Sequence, residues 1–197
     1  MQQLCFATHN LHKRREIEAL FSTAGIALAL TDLYTLGHMG ELEESHNTFR
    51  ENAFQKATFV YATYQVPCFA DDSGLVVKAL DGEPGVYSAR YAGVPKSDVA
   101  NRKLLLKRME GVSQREAYFK TVIAFVGPGI RQHFEGKVKG YVTTAPRGTG
   151  GFGYDSLFVP QGFDQTYAEL SLVEKNTVSS RIKAFQAFYA LLKTRFK

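Results

Sequence analysis

The sequence predicts one mixed α/β domain over residues 1–197, and three observations carry that expectation. Short apolar runs of strand type alternate with stretches of helical apolar spacing. Two of the helical stretches open on Ser/Thr-x-x-Glu, where a hydroxyl and a carboxylate satisfy the first free N–H groups of a helix. No repeat, low-complexity tract or flexible linker divides the chain. Its length allows a substantial core, and its 45% apolar and 22% charged content is that of an ordinary globular protein.

Leu4-Cys5-Phe6-Ala7 forms a first strand ending at Thr8. A helix follows with Ile17, Leu20 and Phe21 at i, i+3 and i+4, until Gly25 stops it. Ala27 to Leu30 is a second strand, and Glu41-Leu42-Glu43-Glu44 an acidic loop. Thr48 caps the next helix with Glu51 three residues on; it runs to about Tyr64 and buries Phe49, Ala53, Ala57, Val60 and Tyr61. On another stripe of that helix Asn52 and Lys56 lie four residues apart and point the same way. Leu75-Val76-Val77 and Ala79-Leu80 make a strand before the tight turn Asp81-Gly82. Ser97-Asp98 opens a helix carrying Leu104, Leu105 and Met109. Ala117 to Val126 is a long strand, Gly127-Pro128-Gly129 a turn, and Phe134 with Val138 to Thr143 one or two further strands. Ser171-Leu172-Val173-Glu174 opens a C-terminal helix with Val178, Ile182, Phe185, Tyr189, Leu192 and Phe196 along one face.

No apolar stretch approaches the ~20 residues that span a bilayer, so no membrane partner is expected. The start Met1-Gln2-Gln3-Leu4-Cys5 lacks the basic region and small-residue cleavage site of a secretory leader. Cys5 and Cys68 sit in apolar runs as buried thiols and not as a disulfide frame, which fits a reducing cytoplasm. The net charge of +5 favours polyanionic partners, but the basic residues are spread out and only Lys13-Arg14-Arg15 is dense. Without zinc-finger spacing or an aromatic-basic signature, no stable nucleic-acid partner is expected, and a small phosphorylated substrate accounts for the charge.

The chemistry concentrates in Ala70-Asp71-Asp72-Ser73-Gly74-Leu75. Side chains alternate along a strand, so one Asp can face a site while its neighbour ties down the backbone. Such a pair suits a hard cation or a base that activates water, and it is also the composition of a strand-terminating turn. Thr8-His9-Asn10-Leu11-His12-Lys13 hands the first strand to the first helix. Free N–H groups and the helix dipole make an anion site there, or simply a cap. His9 and His12 have no third ligand nearby, so no metal role is expected of them. Glu43-Glu44 forms a solvated loop or, if close to Asp72, completes an oxygen-only magnesium site.

Gly148-Thr149-Gly150-Gly151-Phe152-Gly153 matches G-x-G-x-x-G, but Tyr154 to Val159 follows as a strand, so the dinucleotide-binding reading fails. A mobile glycine loop remains, either a plain hairpin or one presenting Phe152, Tyr154 and Asp155 at a surface where a base can stack. Lys175, Ser179, Ser180 and Arg181 fall in the first turns of the last helix. There is no Walker A run, no Ser-His-Asp arrangement with an identifiable elbow and no Nudix-type glutamate array.

Further blocks follow: Thr48-Phe49-x-Glu51-Asn52-Ala53-x-x-Lys56-Ala57, Pro84-Gly85-Val86-Tyr87-Ser88-Ala89-Arg90-Tyr91, Gly151-Phe152-Gly153-Tyr154-Asp155, and Ala168-Glu169 with Glu174-Lys175-Asn176. Together with Thr8-x-Asn10-x-x-Lys13 and Asp71-Asp72-Ser73-Gly74-Leu75, in this order over nearly the whole chain, they resemble the inosine/xanthosine triphosphate pyrophosphatase family. The resemblance implies an elongated mixed β-sheet flanked by helices, two lobes with the active cleft between them, and a homodimer. It implies a Mg2+-dependent cut of ITP, dITP or XTP between the α- and β-phosphates, giving monophosphate and pyrophosphate and cleansing the nucleotide pool. Carried onto matching positions, Asp72 is the general base and a metal ligand, with Glu43 or its neighbour Glu44 helping to hold the ion. Thr8, His9, Asn10, Leu11, His12 and the catalytic Lys13 clasp the phosphates, and Ser73 touches substrate. Phe152, Gly153, Tyr154 and Asp155 hold the base, and Lys56, Lys175, Ser180 and Arg181 complete the substrate site.

The chain departs from that family's pattern at three places. The usual Ser-His-Arg is Ser179-Ser180-Arg181, the usual Glu-Glu-Thr-Gly is Glu43-Glu44-Ser45-His46, and Ser156 replaces the Pro that follows Tyr-Asp. Loss of an imidazole at Ser180 keeps a broader nucleoside triphosphate pyrophosphatase open as an alternative. A nucleotide- or nucleic-acid-binding protein without turnover is the other, and the retained Asp72 and Lys13 argue against it.

Overall fold

The structure, a computed structural model, describes residues 3–24 and 28–195. The expected stop at Gly25, the Ala27 start of the second strand and Phe196 lie outside those residues. Six strands, β1 (Gln3–Phe6), β2 (Ala29–Asp32), β3 (Cys68–Val77), β4 (Glu116–Gly127), β5 (Ile130–Val142) and β6 (Phe158–Pro160), form one sheet in the order β2-β1-β3-β4-β5-β6. It is mixed: β1 runs parallel to β2 and to β3, with Phe6 opposite both Asp32 and Phe69, while β5 and β6 are antiparallel. Among the described residues five α-helices accompany it: α1 (Leu11–Ala24), α2 (Phe49–Tyr64), α3 (Asp98–Arg108), α4 (Leu172–Val178) and α5 (Ser180–Arg195). Among the described residues no helix is long and apolar enough to cross a membrane.

The chain groups into two compact units. One is drawn from Met1–Asp72, Thr121–Gly136 and Arg181–Lys197, the other from Ser73–Lys120 and Lys137–Ser180. In the first, the inner stripe of α1 (Ile17, Leu20, Phe21) packs with Leu4, Phe6, Phe69, Phe125 and the α5 residues Phe185, Phe188 and Leu192. Phe6 and Phe69 stack with ring centroids 4.6 Å apart and planes within 5°. Truncating a ring this enclosed costs about 3–5 kcal/mol. Cys5 and Cys68, opposite one another on β1 and β3, are free buried thiols. Burial, and then the neighbouring Cys5, push the Cys68 thiol well up, so it is no ready nucleophile.

In the second unit Leu75, Val77, Leu105, Met109, Val138, Val142, Leu157 and Phe158 form the core. At Gly140 a Cβ would lie 2.1 Å from the Val159 carbonyl oxygen and 2.7 Å from the Phe158 ring, so β5 and β6 can approach only with glycine there.

The helix starts follow their caps. Thr48 Oγ1 accepts from Glu51 N at 3.1 Å, Ser97 Oγ from Ala100 N at 3.2 Å, and Ser171 and Glu174 form a reciprocal box. Tyr61 and Leu104 are half-buried, not enclosed. Four expectations need correcting. Asp71 and Asp72 do not end a strand, because β3 runs on through them to Val77; Ala79 and Leu80 instead form a single 3-10 turn before Asp81. Tyr154 to Val159 is strand only from Phe158, since Asp155–Leu157 is a 3-10 turn. The predicted C-terminal helix is two helices. Ser179 is extended (φ −73°, ψ 158°), and consecutive serines compete for backbone partners where a helix interior would need them paired.

Candidate active site

The first unit gathers its charge around the two carboxylates of β3, which meet opposite surroundings. Asp71 is an enclosed anion. Arg181, in the first turn of α5, donates Nε and Nη2 to its Oδ2 at 3.0 and 2.9 Å, and Lys13 Nζ lies 3.0 Å from Oδ1. Lys56 Nζ donates to the Asp71 carbonyl oxygen at 2.8 Å, and Arg181 also pairs with Glu16, buried on α1. Burial by itself pushes the Asp71 carboxyl up, but Lys13, Arg181 and Lys56 together outweigh it and hold it well below the usual carboxylate range. Burial likewise works against the Arg181 charge, and Glu16 and Asp71 more than restore it.

Asp72 behaves the other way. Burial pushes its carboxyl up, Lys56 and Lys13 pull it back, and Glu44 adds to the rise, leaving it above the usual range. Asn52 Nδ2 donates to Asp72 Oδ2 at 3.1 Å. Asn52 and Lys56 share a buried stripe of α2, as their spacing requires. Lys56 pairs with Glu44; burial favours its neutral form, yet Glu44, Asp72 and Asp71 keep it charged. Glu44 is half-buried, whereas Glu43 is exposed.

The loop after β1 caps α1 with its own side chains. Thr8 Oγ1 accepts from Asn10 N at 3.1 Å, and Asn10 Oδ1 accepts from His12 N at 3.0 Å and Lys13 N at 3.1 Å. Leu11 and His12 are exposed, Lys13 turns inward to Asp71, and the His9 ring turns to the Gly40 carbonyl oxygen at 2.9 Å.

Magnesium prefers oxygen donors, takes one or two carboxylates, and completes its shell with water and substrate phosphate. Asp72 and Glu44, close enough to influence one another's charge, are such donors. Among the described residues no three His, Cys, Asp or Glu side chains group into a ready cage, and Asp72 with Glu44 is the carboxylate pair that could hold such an ion.

The second unit holds the aromatic set. Asp155 Oδ2 accepts from Lys175 Nζ at 2.5 Å and from Phe152 N at 2.9 Å, and the Lys175 ammonium lies 4.7 Å from the centre of the Phe152 ring. Gly151 has φ +69°, and a Cβ there would sit 2.1 Å from Asp155 Oδ2. Gly153 is gripped by α3: its N–H donates to Asp98 Oδ2 and its carbonyl accepts from Arg102 Nη1, both at 2.7 Å. The glycine run is therefore held from both sides, and Tyr154 and Asp155 are buried, not presented at a surface. Tyr154 Oη donates to the Ser88 carbonyl oxygen at 3.0 Å. Ser73 is half-buried directly after Asp72, and Ser180 is buried at the start of α5.

Sequence reasoning missed Glu16, the cation cage of Asp71, and the grip of Asp98 and Arg102 on Gly153. A carboxylate next to Ile17 on an apolar stripe signals a buried partner. Nothing local reveals that this partner, Arg181, lies 165 residues on.

A mixed sheet carrying adjacent carboxylates, ringed by cations from three helices, defines the class: an α/β protein with a preassembled ionic site. The chain belongs to the Ham1 family, whose model matches residues 4–191. It is similar to the dITP/XTP pyrophosphatase of Bacillus licheniformis, with 46% identity over 195 residues and 98% of each chain covered. That of Geobacter sulfurreducens is also 46% identical, over 98% of this chain and 96% of its own. Among solved structures, the Ham1 protein of Staphylococcus aureus matches with a TM-score of 0.88 and 36% identity, covering 98% of this chain and 99% of that one. The nucleoside-triphosphatase / dITP/XTP pyrophosphatase from Mycobacterium abscessus matches with a TM-score of 0.77 and 36% identity, over 95% and 97%.

Proposed function

We propose that this chain is a Mg2+-dependent nucleoside triphosphate pyrophosphatase. It converts dITP, ITP and XTP to the monophosphates and pyrophosphate, in line with the activity named for its relatives at 46% identity. The observation that carries the reading is the divided fate of the carboxylate pair: Asp71 locked in ion pairs, Asp72 held ready with a raised affinity for a proton. A base poised above the ordinary carboxylate range is the better proton acceptor for an attacking water. Asn52 fixes the plane of that carboxylate, and Asp71 holds Lys13 and Arg181 in place. Lys13 and Lys56 face the negative charge that grows on the departing pyrophosphate. Asp72 and Glu44 would hold the magnesium ion, which supplies further neutralisation of phosphate charge when bound.

Phe152 offers the base a ring face, and the Lys175–Asp155 pair gives its edge a fixed polar partner. Hypoxanthine and xanthine carry a carbonyl where adenine carries an amino group. A donor aimed there is satisfied by the former and left unmatched by the latter, a difference of about 1–3 kcal/mol. Ser180 favours a second, broader reading, because a short buried hydroxyl stands where the family pattern places an imidazole. The same proposal includes a cytoplasmic location and a homodimer, the latter tested by sedimentation of the purified protein.

Incubation with dITP and magnesium, followed by anion-exchange separation, tests the chemistry. The proposal expects dIMP and pyrophosphate in equal amounts. Orthophosphate with dIDP, or unchanged dITP, would overturn it.

A further inference from the structure

Beyond the place in the phosphate clasp that the family resemblance gives it, His9 is closely joined to residues 34–40. His9 Nε2 lies 2.9 Å from the Gly40 carbonyl oxygen, and because a carbonyl only accepts, Nε2 carries the proton. The His9 ring lies nearly parallel to that of His38, with centroids 6.0 Å apart and planes 16° apart, and meets Tyr34 edge-on at 4.9 Å. His38 Nδ1 is 3.1 Å from Tyr64 Oη at the end of α2, and its ring meets Phe59 of that helix edge-on. Nδ1 of His9 and Nε2 of His38 are buried and make no hydrogen bond to a protein group.

Gly40 immediately precedes the acidic segment Glu41–Glu44. The far end of that segment is tied to α2: Ser45 N donates to Gln55 Oε1 at 3.1 Å and His46 N to Asn52 Oδ1 at 2.9 Å. The near end is tied by His9, which belongs to the same loop as Thr8 and Asn10, just ahead of Lys13 on α1.

We infer that His9 is a positioning residue: its Nε2–H holds Gly40 and so keeps the acidic segment in register with the loop that faces the phosphates. The kinetic consequence rests on the pyrophosphatase reading; the structural one does not.

Amide hydrogen exchange of segment 38–46 in the free protein separates the two. His9→Phe keeps a ring and loses the donor, while His9→Gln keeps an N–H donor and loses the ring. Loss of one such bond is expected to speed exchange of the segment about fivefold in His9→Phe, with α2 and the β1 core unchanged, and His9→Gln is expected to recover most of the protection. In pyrophosphate release from dITP, His9→Phe should need about fivefold more Mg2+ for half-maximal rate, with a smaller change in kcat. Equal exchange in His9→Phe and wild type would overturn the inference. So would His9→Gln exchanging as fast as His9→Phe, or loss of protection spread over the whole first unit. If the wild type hydrolyses no nucleotide, the functional reading fails and the exchange comparison still decides the role of His9.

Discussion

Asn52 donates to Asp72 Oδ2 at 3.1 Å while its own carbonyl oxygen accepts from His46 N at 2.9 Å. One amide therefore orients the proposed base and anchors the acidic segment beside it. Its two ends cannot be exchanged, because a carboxylate needs a donor and a backbone N–H an acceptor.

The pH dependence of turnover follows from this contact. Asp72 must be ionised to accept a proton, so kcat/KM is expected to fall as pH drops through a value above the ordinary carboxylate range. The Asn52 donor favours the ionised form, and Asn52→Ala should move the acid limb to higher pH. Rate profiles of both proteins check this; a limb that stays put or moves down would contradict it.

Stability separates the two aspartates. Asp71 has a lowered pKa in the fold, so its contribution is present above the unfolded-chain value and is lost as pH falls through the folded one. Asp72 has a raised pKa, so its ionised form is disfavoured in the fold and adds no stability at neutral pH. Asp71→Asn leaves Lys13 and Arg181 short of their anion and is expected to cost about 3–5 kcal/mol in urea unfolding. Asp72→Asn is expected to match or exceed the wild type.

Elements with local chemistry were legible in the sequence. Thr48 and Glu51 placed the start of α2, and the spacing of Asn52 and Lys56 placed both on one buried stripe. The course of β3 was harder to read, because Asp71 and Asp72 look like a turn until their countercharges are known. Those charges, on Lys13, Lys56 and Arg181, come from three separate helices and leave no mark near Asp71. The break at Ser179 was hidden for a related reason: the apolar spacing from Val178 to Leu192 continues across it, and periodicity does not report a single extended residue. Gly153 looked mobile because the residues that grip it, Asp98 and Arg102, lie on α3.

The glycine run should tolerate no side chain at Gly151. A methyl group there meets Asp155 Oδ2 at 2.1 Å in a backbone conformation that disfavours alanine. Gly151→Ala is expected to displace Asp155 from Lys175 and raise KM for dITP at least about tenfold, with Asp72 chemistry intact and kcat little changed. Steady-state kinetics decide; an unchanged KM would remove the Lys175–Asp155 pair from substrate recognition.

Ser180 is the position for testing base selectivity. Restoring bulk and a ring donor with Ser180→His should sharpen preference for dITP over ATP and GTP, by about fivefold for one well-placed hydrogen bond. Competition between the nucleotides in one reaction measures the ratio directly. An unchanged ratio in a folded variant would mean that the base is read elsewhere.

The most direct test of the central claim is pyrophosphate release from dITP by the wild type and by Asp72→Asn, side by side at saturating magnesium. A general base contributes about a hundredfold or more, so kcat should fall at least that far in the variant while its unfolding curve stays at or above the wild type's. An Asp72→Asn enzyme within about tenfold of the wild type would contradict the assignment of Asp72 as the base.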